Sequence, residues 1–198
     1  MIDKYTQSLI HFAGINNATA ITDTTGRSWT NSSCLIKTAK YKFGGSSLQF
    51  VDPGYIYTAA DAALDLGSND FCIDFWMYPN LDATYEKILG QGATTSTNRS
   101  FQLHKYDTNI IQFLYWYGGD WAPISTNSSV ALTIASWNHV AVVRSVFDLA
   151  IYVNGITTEH EDMGIYDTID SSTAPFTIGR ATLDPASFVD FTGYIDEF

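Results

Sequence analysis

Asp70-Phe71-Cys72-Ile73-Asp74-Phe75-Trp76-Met77-Tyr78-Pro79 is the stretch on which the fold turns. Successive side chains of an extended strand point to opposite faces. Phe71, Ile73, Phe75 and Met77 therefore share one face, and Cys72, Asp74, Trp76 and Tyr78 share the other. Leu149, Ile151 and Val153 alternate in the same way, and Asn154-Gly155 follows them. Both central positions of a tight hairpin turn need positive φ, which Asn and Gly tolerate best, so this dipeptide predicts a hairpin. Working outward, similar short runs rich in β-branched and aromatic residues recur, bounded by Gly, Pro, Asn, Asp or Ser. They lie near 8–12, 47–50, 55–58, 87–91, 100–105, 110–117, 137–144, 156–161, 176–179 and 192–198. Ala59–Leu64 is the one helix-like piece. About twelve strands with frequent turns predict an all-β sandwich or barrel. No fixed-period repeat or linker divides the chain, so residues 1–198 read as a single domain.

Composition narrows the function. Aromatics make up 15% of the residues and charged groups only 16%, which excludes general disorder. Ten basic against 21 acidic residues give a net charge of −11, which argues against nucleic acid or an anionic membrane as partner. No apolar run is long enough for a membrane span, and the N-terminus shows no signal-peptide pattern. Cys34 and Cys72 are too few for a disulfide framework and read as free buried thiols.

Several strings in fixed order carry a family resemblance. They are Leu9-Ile10-His11-Phe12, Lys42-Phe43-Gly44-Gly45, the 70–79 stretch, Trp137-Asn138-His139-Val140, Ile151-Tyr152-Val153-Asn154-Gly155 and Gly193-Tyr194-Ile195-Asp196-Glu197-Phe198. In this order they resemble the concanavalin A-like lectin/glucanase superfamily, in particular the laminin-G-like jelly-roll domains found in bacteriophage structural proteins. The resemblance implies an antiparallel two-sheet jelly-roll sandwich with the first and last strands adjacent. Trp76 and Trp137 are expected as core anchors. In relatives the last string continues through a further stretch, so its end at Phe198 predicts a truncated strand or an edge completed by another chain.

The superfamily contains glycoside hydrolases, whose signature is three acids on alternating strand positions. Here Asp70 and Asp74 flank Cys72 rather than a third acid, and no other strand offers a triple. No Gly-x-Ser-x-Gly elbow, zinc spacing or phosphate loop is present. His139 is expected to bond nearby backbone. No catalytic residue is therefore assigned. The densest aromatic run, Phe113 to Trp121, offers candidate ligand contacts for glycan or partner at Tyr115, Trp116, Tyr117 and Trp121. Alternation predicts that either Tyr115 and Tyr117 or Trp116 face outward. The resemblance also implies calcium at loops joining the sheets, with Asp52 and Asp196 as ligands. The expected role is a non-enzymatic virion module made in the host cytoplasm. Its expected partners are other virion proteins, a second copy of itself, or a host-surface glycan. A free carbohydrate-binding lectin module or a hydrolase is the alternative.

Overall fold

A computed structural model describes residues 3–93, 98–119, 124–157, 160–181 and 189–198. Two sheets face each other. Sheet A runs β1 (Thr30–Ser32), β4 (Tyr55–Thr58), β13 (Phe176–Ile178), β6 (Glu86–Gly92), β7 (Arg99–Lys105), β8 (Ile111–Tyr115) and β9 (Ile124–Asn127). A short β14 (Val189–Asp190) pairs with β6 in parallel. Sheet B runs β12 (Glu161–Asp162), β11 (Asp148–Val153), β10 (Asn138–Ser145), β5 (Phe71–Pro79), β15 (Gly193–Asp196), β3 (Ser47–Phe50) and β2 (Leu35–Lys37). All other pairings are antiparallel, which gives the jelly-roll sandwich implied by the family resemblance; of the two all-β forms that alternation left open, it is the sandwich and not the barrel. Two single-turn helices, Ala62–Leu64 and Gly164–Tyr166, are the only helical pieces among the described residues. Neither is long or apolar enough to cross a membrane.

Phe75 and Met77 of β5, Val140 and Val142 of β10, Leu48 and Phe50 of β3, and Ile195 of β15 fill one wall of the core. Phe101, Leu103, Ile111, Phe113, Phe176 and Ile178 of sheet A fill the other. The predicted hairpin is present. Val153 and Ile156 exchange backbone hydrogen bonds, and Asn154 and Gly155 hold φ of 53° and 76°.

The C-terminal expectation is corrected. β15 lies inside sheet B with β5 on one side and β3 on the other, so no edge is left open there. The next residues pair as well, since Phe198 and Ile10 exchange two backbone hydrogen bonds. The Phe198 ring packs against Trp29, Phe75 and Phe176. Phe198 thus plugs the core, and the segment around Ile10 runs beside it, although it forms no regular strand.

Candidate functional site

The outer face of sheet B carries a set of half-exposed aromatic rings. Alternation on β5 sends Phe75 and Met77 inward, so Trp76 and Tyr78 point out. In register beside them lie His139 of β10 and Tyr194 of β15. Tyr78 stands edge-on to both Trp137 and Tyr194, at centroid distances of 5.7 and 6.0 Å. Trp76 lies 5.2 Å from the His139 ring and 5.8 Å from Phe43. The expectation that Trp76 and Trp137 are core anchors is therefore wrong. Their neighbours Asp74 and Cys72 share the outer face, and that polar company was the signal that could have oriented the strand.

A loop from Thr38 to Ser46 passes over this face. The buried Asp196 carboxylate holds it by accepting from the backbone N–H groups of Lys42 (2.7 Å) and Phe43 (2.9 Å). Burial pushes the Asp196 carboxyl above its ordinary range, against the pull of those two bonds. Ser47 Oγ adds a 2.6 Å bond to the Lys40 carbonyl. The loop sets the Lys42 ammonium 3.9 Å from the Trp76 ring centroid and the Lys40 ammonium 3.8 Å from that of Tyr78. Gln49 Nε2 donates to the Tyr194 hydroxyl at its edge. His139 Nε2 lies 3.3 Å from the Asp74 carboxylate, so its ring meets a side chain and a tryptophan rather than the expected backbone.

The outer face of sheet A is different. Thr177, Gln102, His104 and Gln112 there are buried. Ala181 is buried too, and its methyl would lie 3.3 Å from a Cβ placed on Gly90. Arg180 reaches Asp190 through Nε (2.8 Å) and Nη2 (2.6 Å), with its guanidinium over Tyr55. A polar concavity of about 500 Å³ opens between Gln7, Arg27 and Asp61, but no aromatic ring lines it.

The aromatic run read from the sequence does not make an open platform. Tyr115 is fully buried and Trp116 is 5% exposed, so these two are corrected as ligand contacts. Tyr115 faces the core with Phe113, and burial pushes its phenol up to about 12. Trp116 lies on the opposite face of the run, yet is covered within its own chain. Tyr117 is half-buried and edge-on to Tyr166, 5.5 Å away. Trp121 lies outside the described residues.

Asp52 and Asp196 are not brought together either. Leu48 pairs with Ile195 and Phe50 with Gly193. That register leaves the two aspartates at opposite ends of β3, about 17 Å apart along the strand direction. No cluster of three or more metal-ligating side chains occurs among the described residues. Both cysteines are free, but only Cys34 is buried; Cys72 is exposed on the outer face.

Asp70 and Asp74 are each engaged singly. Asp70 accepts from the Val146 N–H at 2.6 Å, and Asp74, 60% exposed, faces His139. Four residues of extended chain separate them by about 13 Å, beyond the roughly 5–10 Å between the carboxylates of glycosidases.

No curated protein sequence is significantly similar to this chain. Solved structures share its fold. The binding domain of Paraclostridial Mosquitocidal Protein 1 superposes with a TM-score of 0.69 at 14% identity, over 96% of this chain and 48% of that one. This chain thus spans about half the length of that protein. Domain 4 of AbnA, a GH43 extracellular arabinanase from Geobacillus stearothermophilus solved with arabinotriose, gives 0.62 at 16% identity, over 88% of this chain and 83% of that one. The Ruminococcus gnavus IT-sialidase CBM40 bound to α2,3 sialyllactose gives 0.54 at 13% identity, over 65% of this chain and 72% of that one. The match that reaches beyond fold is one of sequence: residues 52–198 fit the laminin-G-type family model, and the chain belongs to the concanavalin A-like lectin/glucanases superfamily.

Proposed function

We propose that this domain is a non-catalytic, lectin-like module that grips a glycan on the outer face of sheet B. The observation that carries the reading is the pair of ring groups on this face, Trp137–Tyr78–Tyr194 and Trp76–Phe43, with Trp76 and Tyr78 two residues apart on β5. Ring faces and edges offer apolar contact to the C–H faces of a pyranose, while Gln49 and the Tyr194 hydroxyl offer hydrogen bonds beside them. The arabinotriose and sialyllactose complexes of its structural neighbours support the ligand class. The separate engagement of Asp70 and Asp74 supports the absence of hydrolysis.

A glycan array with the wild-type domain and Trp76→Ala tests this. Binding should be present in the first and at least tenfold weaker in the second, with the fold intact because Trp76 is only half-buried. Reducing-sugar release should be absent and unaltered in Asp70→Asn and Asp74→Asn. Turnover that either substitution abolishes would overturn the non-catalytic reading.

A second reading concerns attachment, and an exposed apolar end favours it. Val146 and Phe147 in the β10–β11 turn, with Ile165 and Tyr166, project from one end of the sandwich. The Met163 N–H to Phe147 carbonyl bond ties the two turns together. We propose that this end docks the module to a larger assembly, the virion surface expected from the resemblance. Mass spectrometry of purified particles should then find the chain as a stoichiometric component, and its absence would refute the assignment.

A further inference from the structure

We infer that the sugar bound by sheet B is acidic, and that Lys40 and Lys42 recognise its carboxylate; the inference rests on the glycan reading above. The chain has ten basic residues against 21 acidic ones. Arg27 pairs with Asp61, Lys105 with Glu86 and Arg180 with Asp190. Arg144 is buried and donates to the carbonyls of Val146 and Gly67. Lys40 and Lys42 have no carboxylate within ion-pairing distance among the described residues, and both stand over rings of this face.

Two carboxylates adjoin Trp76 on this face. Asp74 is turned to His139, and Asp196 is buried beneath the backbone of Lys42 and Phe43. Neither competes for the lysines. Trp76 and Tyr78 are two residues apart on β5, so the ammonium groups above them stand about 7 Å apart along the strand. Asp196 and Ser47 fix the loop backbone, and the lysine side chains are held by ring contacts alone among the described residues.

A carboxylate offers the ammonium a charge-assisted hydrogen bond that an aromatic face cannot. A carboxylate arriving on a sugar ring therefore draws the ammonium off the aromatic face and frees that face for the ring's C–H groups. An acidic peptide fits less well. β10, β5 and β15 beneath the rings are interior strands paired on both sides, so no backbone edge is open for an extended chain to join.

The test is calorimetric titration of the intact chain with two matched pairs: oligogalacturonate against its methyl ester, and sialyllactose against lactose. Acidic poly-glutamate serves as the peptide arm. At least one acid should bind tenfold or more tighter than its neutral partner. That preference should vanish in the Lys40→Gln/Lys42→Gln double variant while binding to the neutral partner persists. Equal binding of acid and neutral members overturns the inference and leaves the glycan reading standing. Binding of poly-glutamate alone overturns both. Loss of the preference in a Lys4→Gln/Lys87→Gln control variant would show a general charge effect and also overturn it.

Discussion

Asp23 shows how one side chain fixes a long loop. Its carboxylate accepts from Ser8 Oγ, Leu9 N, Thr25 N, Thr25 Oγ1 and Trp29 Nε1. Burial pushes its pKa up, but the bonds from Ser8, Thr25 and Trp29 outweigh burial and hold it below the ordinary value of 3.8. A depressed carboxyl stabilises the fold at neutral pH and loses that contribution as pH falls through the unfolded and then the folded value. Asp23→Asn should cost about 2 kcal/mol in urea unfolding at pH 7. The gap between variant and wild type should narrow below pH 3.8, where the wild-type carboxyl also begins to be neutralised. The site residues lie at the same scale, and here the sequence was legible only in part. Aromatic density drew attention to Tyr115 and Trp116, which are buried. The rings that line the outer face, Trp76, Tyr78 and Tyr194, come from separate strands. Their adjacency is a property of strand register, which no local run of sequence encodes.

At the scale of elements, alternation identified β5, β10 and β11 and the Asn154-Gly155 turn. It left undecided which face of β5 was inside, because Phe75 and Trp76 are comparably apolar and neighbours decide the matter. β1, β2 and β14 are two or three residues long, too short to show a period. The β10–β11 turn holds a feature that composition hides. Val146 sits at φ 60°, a left-handed conformation that costs a β-branched residue about 1–2 kcal/mol. Its N–H is retained by Asp70, so Val146→Asn keeps the bond and relieves the backbone. We expect a stabilisation of about 1 kcal/mol, read as a higher denaturation midpoint. The register of β3 against β15 also bears on metal. Since Asp52 and Asp196 lie at opposite ends of β3, Asp52→Asn should leave any calcium-induced rise in melting temperature unchanged.

At the scale of the whole molecule, one ion pair is buried between two strands of sheet A. Glu86 and Lys105, opposite each other on β6 and β7, are both fully buried, with Nζ 3.2 Å from Oε2. Burial pushes the Glu86 carboxyl upward, against the Thr192 N–H and the lysine. Lys105 Nζ also reaches the Thr84 carbonyl and Asn109 Oδ1. Removing one charge strands the other, so Lys105→Met should cost about 3–5 kcal/mol. Adding Glu86→Gln to that variant should cost far less than it does alone, a coupling that a double-mutant cycle in denaturant measures. The overall architecture was the most legible level, because strand count, turn spacing and alternation point to an all-β sandwich or barrel and the ordered family strings select facing sheets. The central seat of the final strand has its own consequence. Until residues 193–198 leave the ribosome, β5 and β3 have no common neighbour, and the nascent polypeptide holds two unsatisfied inner edges. Sheet B can therefore close only once residues 193–198 have emerged, and a chain cut short before them is a substrate for chaperones and for aggregation.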